Sequence, residues 1–270
     1  MEKNNDYALT AREIRRLSLI LAHHAKASHS GGALSMADIL AVLYSGVLNI
    51  TPAAVDDPNR DRFLLSKGHC CAALYAALAI RGFLDRDELC ANYGNDGSVY
   101  FSHVSHHLNG VEISSGSLGH GLPVACGMAV NGKVRHLSYD TYVLTGDGEL
   151  DEGSCWEAVL FAAQQQLSHL CLIVDYNKIQ SLGNVEDICD LRPLADKFRA
   201  FNWHVLEIDG HDYEEIAAAF AAFKQEQHRP TVIIANTVKG KGVSYMEGKL
   251  LWHYRNPNDE QLKQALEELA

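Results

Sequence analysis

The chemistry of this chain is most concentrated where Tyr142-Val143-Leu144-Thr145 runs into Gly146-Asp147-Gly148. A carboxylate at the end of an apolar strand offers a hard oxygen of the kind Mg²⁺ and Ca²⁺ prefer. The flanking glycines let an oxyanion or a metal-bound ligand approach the backbone closely. The same three residues could equally form an ordinary turn. A second apolar run, Leu170-Cys171-Leu172-Ile173-Val174, leads into Asp175-Tyr176-Asn177-Lys178-Ile179, which sets an Asn thirty residues after Asp147. Successive strands of a βαβ unit are usually neighbours, so Asp147 and Asn177 could reach one ion from adjacent tips. Two side-chain oxygens leave room for a backbone carbonyl, water and diphosphate oxygens, a mixed coordination that suits Mg²⁺.

Other segments could serve the same end of the molecule. Ser115 to Gly121 places small residues and free amides at a helix start, a natural seat for diphosphate oxygens and equally a plain helix cap. Lys239 and His253 follow the last apolar strand and could bring charge or donors there, or could stand as solvated loop residues. Histidine is abundant, at 14 residues, and imidazole both donates and accepts near neutral pH.

The elements that must position these residues follow from hydrophobic periodicity. Helices are predicted over 10–26, from Ser35 to about Val47, and over 70–81, 118–130, 150–166, 193–201, 212–225 and 260–269. Strands are predicted at 63–65, 142–145, 170–174, 203–207 and 231–235. Continuous apolar strands alternating with helices predict an α/β fold, a parallel sheet with helices on both faces. Such sheets bind ligands at the carboxyl ends of their strands, where Asp147 and Asn177 stand. With no repeat, low-complexity tract or linker, residues 1–270 read as one domain.

The bulk properties exclude several classes. Charged residues are 21% and hydrophobic ones 47% of 270, an ordinary globular composition. A net charge of −11 argues against a nucleic-acid or anionic-membrane surface. The seven cysteines are odd in number, scattered and without a Cys-x-x-Cys pair, which favours reduced thiols and a cytoplasmic location over a disulfide or zinc framework. Met1 to Asp6 is polar and leads into no signal-peptide core, and no run of about 18 apolar residues predicts a membrane span.

Gly146-Asp147-Gly148 followed some thirty residues later by Asn177 resembles the signature of thiamine-diphosphate enzymes. Four further segments, in order over nearly the whole chain, resemble transketolase in particular: Lys26 to Gly32 around His29, Arg62 to His69 ending in Ser66-Lys67-Gly68-His69, Gly110 to Gly121, and Thr237 to Gly242 with Trp252-His253. The resemblance implies the diphosphate-binding domain of the thiamine-diphosphate fold. It implies a Mg²⁺ ion (or Ca²⁺ or Mn²⁺) held by Asp147, Asn177 and the carbonyl of Ile179. It implies a cofactor-binding set of His69, Gly116, Ser117, Leu118, Gly148, Glu152, Asn177, Lys239 and His253, with Glu152 matching an interface residue between paired sites. His29, His69, His103 and His253 match residues that line the channel to the reacting carbon, bind sugar oxygens or assist proton transfer. Ser28 and Ser30 depart from the Gly and Pro usual around the first histidine, and His120 stands where Gln is common.

By the same resemblance, a pyrimidine-binding domain supplies the glutamate that activates the cofactor, and it normally follows the matched region. The chain has no room for it after Ala270, so it is expected on a C-terminal partner chain in an α₂β₂ heterotetramer, with sugar phosphates as substrates. The implied activity is transfer of a two-carbon ketol unit from a ketose to an aldose, by the two chains together. Two alternatives stay open: the α-subunit of a 2-oxo-acid dehydrogenase, and a non-catalytic cofactor-binding homologue.

Overall fold

A computed structural model describes residues 2–270, with side chains from Asp6 onward; the polar character read from residues 1–6 rests on side chains almost wholly outside that set. The chain begins with α1 (Glu2–His24), α2 (Ser30–Ser35) and α3 (Ala37–Val42), closed by a π-helical turn over Leu43–Val47. The single helix expected from Ser35 to Val47 instead starts at Ser30 and is interrupted at Met36, where φ −92° and ψ 2° leave the helical region. Then come β1 (Arg62–Leu65), α4 (Cys71–Ile80), α5 (Arg86–Asn92), α6 (Gly121–Arg135), β2 (Thr141–Gly146), α7 (Gly153–Gln164) and β3 (Leu170–Tyr176). A small hairpin, β4 (Ile179–Gln180) with β5 (Gly183–Asn184), precedes α8 (Val185–Ile188) and α9 (Leu194–Ala200). The chain finishes with β6 (His204–Asp209), α10 (Tyr213–Gln225), β7 (Thr231–Asn236) and α11 (Asp259–Glu268).

Five strands form one parallel sheet in the order β1-β2-β3-β7-β6. Their apolar runs split residue by residue between two layers. Tyr142, Leu144, Cys171, Ile173, Ile233 and Ala235 face a core built with α1, α3, α4 and α10. Val143, Leu170, Leu172, Val174, Val232 and Ile234 face a second core built with α6, α7 and α9. Each such buried aliphatic side chain contributes ~1.5–3 kcal/mol, against ~1 kcal/mol for a helix cap. Double-sided burial therefore sets the architecture, and caps trim the helix ends: Asp85 on α5, Asp212 on α10, and Asn258 with Gln261 in a capping box on α11.

Register brings the strand tips to one edge. Gly146 lies opposite Asp175, and Tyr176 lies opposite Asn236. Asp147, Asn177 and Thr237 thus leave three adjacent strands at nearly the same level. A third, smaller core of Leu19, Leu34, Val243, Met246, Trp252, Ala265 and Leu269 anchors the segment after β7. That segment carries Lys239 and His253 back over the tips. Among the described residues no helix is long and apolar enough to cross a membrane.

Candidate cofactor and cation site

A cavity of about 270 Å³ opens at this edge, lined by residues from every segment singled out above: His29, His69, His103, Gly116, Leu118, Asp147, Gly148, Asn177, Ile179, Lys239 and His253. Asp147 is 2% exposed. Its carboxylate accepts N–H bonds from Gly148 (2.8 Å) and Lys178 (2.5 Å). Burial, reinforced by the nearby Asp175 charge, nonetheless pushes its pKa up to about 6. A carboxylate in that condition is stabilised by a cation brought to it.

Asn177 is oriented without ambiguity. Its NH₂ donates to Asp175 Oδ2 (3.0 Å), an acceptor-only group, and its Oδ1 accepts from Ile179 N (3.2 Å). The Ile179 carbonyl accepts from the Lys239 ammonium at 2.8 Å, so this oxygen already attracts a cationic group. One carboxylate, one carboxamide oxygen and one carbonyl make a hard-oxygen set that fits Mg²⁺ and leaves further positions for phosphate and water. Gly148 leaves room that no larger residue could: a Cβ there would stand 2.7 Å from Cβ of Gln180.

Four histidines gather in the same cavity. The His29 ring lies 4.7 Å from His69, 5.0 Å from His253 and 6.4 Å from His103, centroid to centroid. Burial, then neighbouring positive groups, lowers His29 and His253 to about 3 and His69 to about 4. Burial also lowers His103. The imidazoles are therefore neutral at pH 7, able to donate with one nitrogen and accept with the other. His253 Nδ1 accepts from Lys239 Nζ (3.0 Å). His29 Nδ1 is buried with no protein partner, an unusual state that points toward a ligand hydrogen bond. His29 also holds φ at +71°, in the left-handed region. Strain of this kind persists where the surroundings over-determine it, commonly at functional sites. The neighbouring Ser28 and Ser30 do not prevent the turn; Ser30 opens α2, and its hydroxyl lies 3.5 Å from the Arg255 carbonyl.

Residues 7–269 match the family model of the transketolase thiamine diphosphate binding domain. The chain belongs to the transketolase family. It is 42% identical over 269 residues to the 6-deoxy-6-sulfo-D-fructose transketolase subunit SqwG of Clostridium sp. (strain MSTE9), covering 99% of this chain and 98% of that one. It is 39% identical over 262 residues to one of the subunits of the apulose-4-phosphate transketolase of Phocaeicola vulgatus, covering 97% and 93%. The solved transketolase from Leishmania mexicana superposes with a TM-score of 0.92 at 30% identity; 97% of this chain covers 41% of that one. The chain thus has the extent of the separate transketolase subunits and about two-fifths the length of the single-chain enzyme. It corresponds to the N-terminal, thiamine-diphosphate-binding part of an enzyme type that moves a ketol group from a ketose donor to an aldose acceptor.

The transketolase cavity gathers every residue expected to line it except Ser117 and Glu152. Ser117 is exposed on the turn beside Gly116. Glu152 is exposed at the start of α7, packed against Gly119 and away from the cavity. The expected helix over 118–130 begins only at Gly121, because Gly119 turns with φ +79°. Glu149 accepts from Gly119 N (2.9 Å) and from the Ser66 hydroxyl, and Ser66 in turn accepts from Gly121 N (3.0 Å). That buried pair fixes the glycine turn against the sheet tips.

Sequence reasoning missed Ser66, Glu149, Lys67 and Asp175 as functional groups. Lys67, which lines the cavity, and Asp175 are 2% and 0% exposed and pair at 2.5 Å. Burial alone would push each toward neutrality; the partner charge outweighs it, raising Lys67 and lowering Asp175. Asp175 also accepts from Ser35 (2.6 Å), Thr237 and Asn177. It ties α2, the β1 tip and the β7 tip to the residue expected to hold the cation. A charged residue inside an otherwise apolar strand was the available signal.

Proposed function

We propose that this chain is the cofactor-anchoring subunit of a two-component transketolase, binding thiamine diphosphate with Mg²⁺ at the cavity around Asp147. The observation that carries the reading is that Asp147, Asn177 and Ile179 line one cavity together with four neutral histidines. Bound thiamine diphosphate supplies the carbanion chemistry that breaks and remakes the sugar carbon–carbon bond. Asp147, Asn177 and the Ile179 carbonyl would hold the cation. Gly116, Leu118, Gly148 and Lys239 would receive the diphosphate, Lys239 by turning its ammonium from the Ile179 carbonyl to phosphate oxygens. His29, His69, His103 and His253 would orient sugar oxygens and move protons at the substrate's hydroxyls, since neutral imidazole suits both tasks.

On this reading residues 1–270 form one diphosphate- and metal-binding domain, and a partner chain brings the pyrimidine-binding domain, completing an α₂β₂ cytoplasmic enzyme. The cavity volume supports an incomplete site, lying just under the ~300–1,000 Å³ usual for small-molecule pockets. The substrate class follows the relatives, one named for 6-deoxy-6-sulfo-D-fructose and another for apulose-4-phosphate; a sugar bearing an anionic terminus is the expected donor. The test is a ketol-transfer assay with thiamine diphosphate and Mg²⁺, using this chain, a C-terminal transketolase chain, and the mixture. Turnover confined to the mixture supports the reading. Full turnover by this chain alone contradicts the division of labour.

A further inference from the structure

We propose that His211 is a positioning residue for Lys239, a role that rests on the site reading above. Asp38 on α3 is 2% exposed and accepts from Arg15 of α1 (3.0 and 2.5 Å), from Tyr213 (2.8 Å) and from His211 Nδ1 (2.7 Å). On its opposite side the His211 ring meets the backbone of Val238, whose N–H donates to Nε2 at 2.8 Å. A backbone N–H can only donate, so Nε2 carries no proton and Nδ1–H donates to Asp38. One imidazole thus joins a buried, charge-balanced cluster at the helix layer to the residue immediately before Lys239.

The connection matters because of how the Lys239 segment is held. Thr237 is fixed on β3 through its N–H to the Tyr176 carbonyl (3.2 Å) and its hydroxyl to Asp175. Gly240 is fixed through its N–H to the Gly31 carbonyl (2.9 Å), with φ at +81°. Between these anchors, His211 holds the Thr237–Val238 peptide through the Val238 N–H, while the Val238 carbonyl accepts from Lys241 N (3.2 Å) and the Lys239 carbonyl from Gly248 N (2.9 Å). Lys239 then threads past Gly31, where an added Cβ would come within 3.0 Å of Lys239 Cγ, to reach Ile179 and His253. A tilt of the Thr237–Val238 peptide would be carried through Val238 to the Lys239 backbone and down this long side chain to the ammonium. His211 does not line the cofactor cavity, so it acts on the cofactor only through the loop.

Two substitutions separate the halves of the contact. His211→Asn places its amide near the Nδ1 position and keeps the Asp38 bond while losing Val238. His211→Gln reaches the Nε2 position and keeps an acceptor for Val238 while losing Asp38, which retains Arg15 and Tyr213. Two readouts apply to each full-length variant. Amide hydrogen exchange by mass spectrometry on peptides spanning 237–241 reads the loop without any ligand. Calorimetric titration with thiamine diphosphate in Mg²⁺ reads the site. A hydrogen bond of ordinary net strength corresponds to roughly a three- to tenfold change in equilibrium. The expected result is faster exchange and roughly three- to tenfold weaker cofactor binding for His211→Asn, with His211→Gln near wild type in both. Equal affinity for wild type and His211→Asn overturns the proposal, as does an equal loss in both variants with an equal fall in Tm. Failure of the wild type itself to bind, with the exchange difference intact, overturns the site reading and leaves His211 a loop anchor only.

Discussion

Replacing Lys67 with methionine removes the ammonium from a buried ion pair. The side chains of Lys67 and Asp175 are 2% and 0% exposed, and they meet at 2.5 Å. Lys67→Met leaves the Asp175 carboxylate buried with three neutral donors, Ser35, Thr237 and Asn177. Removing one partner of a buried pair costs about 3–5 kcal/mol, because the remaining charge is uncompensated. Against a typical total of ~5–15 kcal/mol this is roughly a fifth or more of the stability. Asp175→Asn strands the other charge and should cost a comparable amount. The double variant Lys67→Met/Asp175→Asn leaves neither charge, so its loss should fall short of the summed single losses by about 1–3 kcal/mol. Urea unfolding of the four proteins at pH 7 measures this, with lower midpoints and unchanged m values. Single-variant losses below about 1 kcal/mol, or strict additivity in the double variant, would refute the claim that a mutually dependent ion pair underlies the site.

Three further outcomes follow from the same geometry. With its pKa raised to about 6, Asp147 leaves stability undiminished below its ordinary pKa and lowers it as pH rises through 6. Asp147→Asn should therefore stabilise the cofactor-free chain at pH 7.5, by up to about 3 kcal/mol for a shift of this size, and not at pH 4, as read by thermal melts. The lowered histidines have the opposite sign: their contribution is full above about pH 6.5 and is lost as pH falls toward 3, so His29→Asn should flatten the stability–pH slope between 6 and 4 by up to about 1.4 kcal/mol per pH unit. Gly121→Ala would put a Cβ 2.2 Å from Ser66 Oγ and 2.9 Å from its Cα, breaking the Ser66–Glu149 clamp; a lower Tm and weaker thiamine diphosphate binding are expected together.

The strands, their parallel order and the site edge were legible because double-sided burial writes continuous apolar runs such as Tyr142–Thr145 and Leu170–Val174. Asp147 and Asn177 were legible because polar groups at strand ends break those runs at a fixed spacing. The interruption at Met36 was not, since a helical pattern continues through it and tertiary packing around Leu34 and Met36 decides the break. The late start of α6 depends on Glu149, some thirty residues away, clamping Gly119. Asp175 was passed over because it sits inside a strand whose partners, Ser35, Lys67 and Thr237, come from three remote segments. Glu152 was placed in the cofactor set by resemblance; it is exposed in an extended conformation (φ −75°, ψ 125°) just before α7, which local motif matching does not resolve.

The cofactor anchor is tested most directly by calorimetric titration of this chain with thiamine diphosphate, in Mg²⁺ and in EDTA, for wild type and Asp147→Ala. Binding by the wild type in Mg²⁺, its loss in EDTA, and a weakening of at least ~100-fold in Asp147→Ala are predicted, beyond the ~10–100-fold that outer-shell partners of a metal typically cost. Equal affinity with and without the cation, or an Asp147→Ala variant that binds like wild type, would contradict the assignment of the strand-tip oxygens as the cofactor's anchor.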